Sequence, residues 1–335
     1  MRINSTPRVV LAVSTLAVGL ICASPARAQY GFDFATIGSP GNAPYQQPWP
    51  GGISVGAVPY EYKIGRTEVT VAQWFEFVKA YEPYYTGPKN ASAFTGVFIS
   101  YVPGQGYTYN PTEANFPNDP SWHMAARYCN WLHNGKSPEA WAFENGAYDT
   151  STFTMNPDGT RNDQITRHPD AKFWIPSDDE LTKAVFYDPN RFGPNQPGYW
   201  QYPDMSDDPN TPGLPGEGGT TNAGILNPPF PYMPVGSYPW APTPWGLLDA
   251  SGGQREWTEG YQENNFFKDR SEFGSHAGDL FFVTGDRLDY YGLILVPPVT
   301  TNGFRLAATI PTPGSVTCCI FFAMAIVSKQ RRHEC

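Results

Sequence analysis

The chain has few basic side chains and few cysteines, and its apolar runs are short. Among 335 residues, 22 Lys and Arg stand against 31 Asp and Glu, giving a net charge of −9, and the body of the chain has no cluster of Lys and Arg. Because phosphate binding needs clustered cations, nucleic acid is excluded as a partner. Of the five cysteines only Cys129 lies in the body. No disulfide can form there, so another cross-link, such as a bound hard cation, would help to stabilise the domain.

Glycine, proline and aromatic residues are abundant instead. The chain has 33 Gly, 35 Pro and 15% aromatic residues, while charged residues make up only 16%. This composition predicts a globular, loop-rich fold with short elements and an aromatic core. The length suits one large domain or two small ones. Residues 29–52, rich in Gly, Pro and Gln, are interpreted as an irregular leader before a domain at 53–309.

The first residues have the three parts of a secretory signal peptide in order. Arg2 and Arg8 supply positive charge, Val9–Cys22 is an apolar run too short to span a membrane, and Ala26–Ala28 has the A-x-A cleavage pattern. We therefore expect residues 1–28 to be removed, the mature chain to begin at Gln29, and the protein to be exported. The alternative is a frayed N-terminal helix.

The last residues, 310–335, form a second sorting element. A Pro- and Gly-containing segment precedes the apolar run Val316–Val327, and Lys329–Arg332 is basic. The arrangement resembles a PEP-CTERM sorting tail, although Thr312 stands where that family usually has Glu. The resemblance implies processing by an exosortase-type enzyme at the bacterial envelope, with membrane attachment only through the tail. The alternative is a plain C-terminal anchor with a positive flank.

Three helices are predicted from their start signals. Thr70 precedes Gln73 at the capping-box spacing, Asp119 or Ser121 caps a second helix, and Ser177–Glu180 is a further capping box. The acidic residues of this last start could also be interpreted as a metal site, but helix-start chemistry explains them more simply.

The remaining body is predicted as short strands and loops. Alternation over Tyr60–Ile64 predicts a strand, and Phe281–Val283 and Leu293–Val296 are interpreted as two more. Asn195–Gly219, rich in Pro, Gly and Asp, is predicted to be a loop. No repeat of solenoid or propeller period is apparent.

The segment Pro234–Glu259 is the most informative part of the chain. With four Pro and a Gly-Gly turn before a Glu-Trp pair, it is predicted to be neither helix nor regular strand. A long irregular segment persists in a compact domain only where it is held, and the indoles of Trp240, Trp245 and Trp257 are the candidates.

This segment resembles the signature of the formylglycine-generating, or sulfatase-modifying factor, family, which is usually written PVGS-P-N-GLYDM-GNVWEW. Four other family motifs match in order: Tyr62–Trp74, Asp119–Trp131, Phe173–Leu181 and Gly303–Ala307. The resemblance covers Ser54–Thr309. It implies a single α+β domain, loop-rich with short strands and about three helices, related to the C-type-lectin fold.

The resemblance also implies a structural calcium site in the same segment. Asp249 and Glu256 would supply carboxylates, and Gly252 and Gln254 would supply backbone carbonyls, the oxygen ligands that calcium prefers. The alternative is that both carboxylates accept backbone amides in a metal-free loop. A second family site near Asn222 and Ala223 lacks a clear acidic partner in the residues that follow.

The catalytic comparison fails at the copper site. The best-known relatives oxidise a cysteine of a sulfatase. They use two cysteines of their own that bind copper and lie before the closing motif. The corresponding interval, Arg270–Gly303, contains no cysteine, and thiolate is the ligand of a soft copper(I) site. Copper is therefore not expected, no catalytic residue is assigned, and whether the chain is an enzyme is left undecided.

Three other candidate residues have simple structural interpretations. Cys129 is interpreted as a small buried hydrophobe rather than a reactive thiol, and Arg305 as a buried donor that ties loops together. His276, which stands where the family usually has Trp, is interpreted as a hydrogen-bonded or solvated loop residue, with a functional role as the alternative.

Two function hypotheses follow. The first is an exported, non-catalytic binding or structural module at the cell envelope, whose Tyr- and Trp-rich loops, such as Tyr81–Tyr85 and Tyr199–Tyr202, recognise envelope carbohydrate or protein. The second is an oxidoreductase with altered metal chemistry on the same scaffold.

Overall fold

The computed structural model describes residues 30–310 apart from 95–97, 158, 160, 226–231, 264–267 and 291–293. The predicted signal peptide and the predicted sorting tail beyond Ile310 lie outside the described residues. The chain divides into two compact units, Met1–Phe32 and Asp33–Cys335, and every element named below belongs to the second.

Helices of nine to twelve residues occur at the three places where start signals predict them, and two helices of four residues accompany them in the described part of the chain. The five are α1 (Val71–Tyr81), α2 (Trp122–His133), α3 (Trp141–Glu144), α4 (Asp178–Phe186) and α5 (Phe282–Gly285).

The strands are short, as the composition predicts. They are β1 (Phe34–Ile37), β2 (Tyr45–Gln46), β3 (Ser54–Val55), β4 (Tyr62–Gly65), β5 (Ile99–Val102), β6 (Gly106–Tyr109), β7 (Phe173–Trp174), β8 (Tyr187–Asp188), β9 (Gly198–Tyr199), β10 (Glu256–Glu263), β11 (Lys268–Phe273), β12 (Ile294–Val296) and β13 (Ala307–Ala308).

Two sheets position the signature segment. One has the order β1-β4-β13-β7, and its antiparallel register places Ala307 opposite both Ile64 and Trp174. The other has the order β10-β11-β12, with a register irregularity between Trp257 and Tyr261. The end of the signature thus runs directly into the second sheet.

The predicted helix caps are confirmed. Thr70 and Gln73 form a reciprocal capping box at α1, as do Ser177 and Glu180 at α4. Of the two alternatives for α2, Ser121 is the cap, since its hydroxyl accepts from the Met124 backbone amide. Glu180 therefore serves the helix start, as the simpler interpretation holds, while Asp178 and Asp179 lie in the first turn and accept from Thr258 and from the Gly56 amide.

The core between α1 and α2 is aromatic. Trp74, Phe77, Tyr128 and Phe304 are all buried and contact one another edge-on or tilted. The indole of Trp74 donates to the Phe94 carbonyl at 3.1 Å, which satisfies the polar atom that burial would otherwise leave without a partner.

Several predicted elements differ from the structure. Phe281–Val283 is not a strand, because residues 282–285 form α5. Its apolar run is too short for periodicity to distinguish a helix from a strand. The last residues of the signature belong to β10 rather than to an irregular segment. Residues 34–37 of the expected irregular leader form β1 of the four-stranded sheet, and residues 198–199 of the expected loop form β9.

Candidate functional site

The signature segment Pro234–Glu259 is held by the three indoles that the sequence singles out. Trp257 is fully buried and donates to the Pro120 carbonyl at 2.9 Å. Trp245 donates to the Tyr187 carbonyl at 2.8 Å, and Trp240, although 51% exposed, donates to the Gly219 carbonyl at 3.0 Å. Each indole ties the segment to a different part of the chain, which explains how an irregular segment keeps its shape.

The two predicted carboxylate ligands differ in their availability. Glu256 is buried, and both of its oxygens accept from the guanidinium of Arg305, one of them from Nε at 2.6 Å. Arg305 is fully buried and also donates to the Leu248 carbonyl at 3.2 Å. The interpretation of Arg305 as a buried donor that ties loops together is confirmed, and Glu256 is its counterion.

Asp249 faces a different environment. It has a positive φ of 57°, a backbone conformation that Asp tolerates better than most residues, and its Oδ2 accepts from the Gly236 backbone amide. Burial raises the pKa of Asp249 to about 6. The carboxylate thus accepts a hydrogen bond from a neutral donor, in a setting that penalises its charge.

Glu68 is the carboxylate that the sequence analysis missed. It is 1% exposed, its Oε1 accepts from the Gln254 backbone amide at 2.8 Å, and its Oε2 has no hydrogen-bond partner among the described residues. Burial, together with repulsion from Glu256 and Asp249, raises the pKa of Glu68 well above its ordinary value. Its position in the opening Glu-Val-Thr motif is the one feature of the sequence that could have indicated Glu68 as a site residue.

A cavity of about 10 Å³ lies where these groups meet. Glu68, Asp249, Asn222, Ser251 and Gly253 line it. Such a volume holds about one water molecule or one small ion. The cavity brings the first and the central family motifs to one point, although they lie about 180 residues apart in the chain.

The predicted ligand set does not fit a cation as it stands, because Glu256 is committed to Arg305. Among the residues that the structure describes, no group of three or more His, Cys, Asp or Glu is arranged to hold a metal ion. Oxygen donors are nevertheless present at the cavity: the carboxylates of Glu68 and Asp249 and the side chain of Asn222, whose Oδ1 accepts from the Gly253 amide at 2.8 Å. The donor chemistry suits calcium if Glu68 takes the place of Glu256.

Asp286 anchors a buried hydroxyl network beside this cavity. Its Oδ2 accepts from Ser251 at 2.6 Å and from Ser275 at 2.9 Å, while Ser275 accepts from the Gly252 amide at 2.9 Å. Asp286 is fully buried, and burial raises its pKa to about 7. The network links the signature segment, through Ser251 and Gly252, to Ser275 and Asp286.

A cleft of about 630 Å³, here called the Tyr60 cleft, opens beside the start of α4, whose cap residue Ser177 lines it. Its lining includes Tyr60, Glu61, Arg167, Ala171, Trp174 and Glu259. Arg167 joins two buried carboxylates, Glu180 and Glu259, and its guanidinium lies 4.3 Å from the centre of the Trp174 ring. The volume is that of a site for a small ligand or a short peptide segment.

Comparison with known proteins identifies the fold and the family. The sequence model of the sulfatase-modifying factor enzyme 1-like domain matches residues 56–288, more than half of the chain. The chain belongs to this family. Among curated proteins, no sequence matches it.

The fold is shared with one solved structure, and two others resemble the chain more weakly. The crystal structure of CarF is 17% identical with a TM-score of 0.50, over 84% of this chain and 100% of that chain. Variable protein 1 of Treponema denticola is 19% identical with a TM-score of 0.49, over 83% of this chain and 95% of the other. PvdO from Pseudomonas aeruginosa is 17% identical with a TM-score of 0.42, over 83% and 92%. The predicted single, loop-rich α+β domain of the sulfatase-modifying factor type is confirmed.

The cysteine of this sulfatase-modifying factor domain is not placed for catalysis. Cys129 is fully buried on α2, and burial raises the pKa of its thiol well above the ordinary value. A reactive thiol needs an accessible, electropositive setting. The interpretation of Cys129 as a small buried hydrophobe is confirmed.

His276 is a half-exposed loop residue. Its Nδ1 lies 2.8 Å from the Ala277 carbonyl, and its Nε2 lies 4.0 Å from Asp279. A hydrogen-bonded, partly solvated ring is what the simpler sequence interpretation expects.

The aromatic residues of the two predicted recognition segments are partly buried, and their recognition role stays a prediction. Tyr81 and Tyr202 are buried, and the Tyr202 hydroxyl donates to the Val283 carbonyl at 2.9 Å. Tyr199 donates to the Ala43 carbonyl at 2.8 Å, while Tyr84 is 39% exposed. Their rings pack and their hydroxyls bond within the domain, because a loop-rich fold fills its interior with aromatic residues from loops.

Proposed function

We propose that this protein is an exported, non-catalytic binding module of the sulfatase-modifying factor family. The observation that carries the proposal is the absence of cysteine from Arg270–Gly303, the interval in which catalytic relatives hold copper. Cys129 is the one cysteine within the described residues, and it lies fully buried in the core. Without thiolates the soft copper site of the oxidases has no ligands in the body of the domain.

The ligand is proposed to be a component of the bacterial envelope. The signal-peptide and sorting-tail patterns at residues 1–28 and 310–335 support export and retention at the cell surface. Among the described residues, no helix is long and apolar enough to span a membrane. Membrane attachment is proposed through the C-terminal tail, whose apolar run Val316–Val327 is followed by basic residues.

A structural calcium ion is proposed at the small cavity between Glu68 and Asp249. Two buried carboxylates that lack a cation of their own favour such an ion, because it removes the electrostatic cost of their burial. The ion would join the first and the central family motifs, as a disulfide does in other exported domains.

Metal content and turnover of the purified full-length chain test the proposal together. We expect mass spectrometry of the metals to find calcium and neither copper nor iron, and a sulfatase-type cysteine peptide to remain unoxidised. Stoichiometric copper or iron together with oxidation of the peptide would overturn the proposal in favour of an oxidoreductase with altered chemistry.

A further inference from the structure

The floor of the Tyr60 cleft is an arginine that is already fully engaged. Nη1 of Arg167 donates to Glu259 at 2.6 Å and to Glu180 at 3.2 Å, and Nη2 donates to Glu180 at 2.7 Å and to the Tyr60 hydroxyl at 2.8 Å. Its guanidinium also lies against the ring of Trp174. Arg167 therefore has little donor capacity left for an anionic ligand.

The cleft carries an excess of negative charge. Glu61 is exposed at the rim, Glu259 is 5% exposed, and Arg167 is the one cation in the lining, while the fully buried Glu180 pairs with Arg167 without lining the cleft. The two lining carboxylates against one guanidinium leave a net charge of about −1 when all are ionised. Lys183 interacts electrostatically with Glu61 but does not line the cleft, because it is buried and donates to the Ser39 carbonyl at 2.9 Å.

The walls of the cleft are apolar. Pro169, Ala171 and Ile310 contribute aliphatic surface, and the ring of Tyr60 is 42% exposed with its hydroxyl held by Glu180 and Arg167. An aliphatic stem with a cationic end matches this combination, since such side chains cover apolar surface while the charge approaches a carboxylate or an aromatic face.

We propose that the Tyr60 cleft binds lysine or arginine side chains of a partner polypeptide. The proposal rests on the proposed function as a binding module and names the chemical class of its ligand. The cationic end would lie against the exposed Glu61 carboxylate, over the ring of Tyr60, and the stem would lie along Pro169.

Carbohydrate fits the cleft less well. Glu259 Oε1 already accepts from the Tyr148 hydroxyl and from the Arg167 backbone amide, both at 2.8 Å, so few of its lone pairs remain for sugar hydroxyls. Arg167 covers the ring of Trp174, which is then not free to stack on a sugar. A net negative charge adds nothing to the recognition of a neutral sugar but attracts a cation.

Calorimetric titration of the full-length chain tests the proposal with matched probes. The probes are N-acetyl-trilysine amide, the same peptide with all three side chains acetylated, and maltotriose. We expect the first to bind, and to bind about tenfold more weakly when salt rises from 50 to 500 mM, because exposed charges are screened. The acetylated peptide and the sugar should not bind.

Charge reversal at the rim locates the binding. Glu61→Lys should weaken trilysine binding about tenfold or more, whereas Glu139→Lys, an equally drastic change at an exposed glutamate outside the cleft, should leave it within twofold. Equal weakening by both variants would mean that trilysine responds only to the overall negative charge, and would overturn the assignment to this cleft.

The remaining outcomes separate this proposal from the one on which it rests. Binding of maltotriose in preference to trilysine, or equal binding of the acetylated peptide, overturns the cationic ligand but leaves the binding module standing. Absence of any binding of trilysine to the wild type overturns the cationic ligand as well. Oxidation of a cysteine peptide with bound copper or iron would overturn the binding module itself.

Discussion

At the residue scale, Glu256 shows why a ligand set carried over from relatives needs the structure. The sequence identified Glu256 as a metal ligand and Arg305 as a buried donor, separately, because the two lie 49 residues apart. In the folded chain each is the partner of the other. A buried guanidinium without a counterion costs several kcal/mol, so the pairing takes precedence over coordination.

Asp286 gives a prediction at the same scale. Burial raises its pKa to about 7, so the folded state keeps a proton that the unfolded chain releases above about pH 4. The contribution of Asp286 to stability is therefore full below about pH 4 and is lost as the pH rises to about 7. The Asn side chain of Asp286→Asn cannot ionise. We therefore expect the free energy of unfolding of this variant, relative to the wild type, to be about 1–4 kcal/mol higher at pH 8 than at pH 4.

Thermal unfolding of the wild type and of Asp286→Asn between pH 4 and 8 measures this difference. Asp178 and Asp249, whose pKa values are raised to about 6, are present in both proteins, so we expect their contribution to cancel in the comparison. Parallel pH profiles of the melting temperature would contradict the assignment of the titration to Asp286.

At the element scale, local chemistry predicted helices well and strands poorly. The caps at Thr70, Ser121 and Ser177 depend on residues three apart, so the sequence contains all the information they need. Strand β1 depends on pairing with β4 near 30 residues away, and its segment has no strong alternation of its own. Helix α5 and a short buried strand have the same apolar signal, and only tertiary packing distinguishes them.

The cap of α4 can be tested directly. The Ser177 hydroxyl accepts from the Glu180 amide at 3.1 Å, and the Glu180 carboxylate accepts from the Ser177 amide at 2.8 Å. We expect Ser177→Ala to lower the free energy of unfolding by about 1 kcal/mol, measured by urea denaturation, because the amide loses its acceptor. Ser100→Ala, at an exposed position of β5, is the control and should change it by less than about 0.5 kcal/mol. Equal effects would contradict the capping role.

At the scale of the whole molecule, five ordered motifs were enough to predict the family and the fold, but not the site. The motifs record which segments pack against each other, without saying which side chains meet. The cavity between Glu68 and Asp249 exists because the opening motif and the signature are brought together by β4, β13 and the Arg305 bonds to the Gly65 and Arg66 carbonyls. No local pattern contains that juxtaposition, and for this reason Glu68 was missed.

Chelation tests whether a cation joins these two motifs. We expect EDTA to lower the melting temperature of the full-length wild type by several degrees, since an ion present at 100 times its Kd stabilises the native state by about 2.7 kcal/mol. Glu68→Gln keeps the acceptor for the Gln254 amide but replaces the unpaired Oε2, so it should fold and lose most of the response to EDTA. Glu61→Gln, at an exposed glutamate, should respond as the wild type does. A Glu68→Gln protein that loses as much stability to EDTA as the wild type, or a wild type that loses none, would rule out a structural cation held by Glu68.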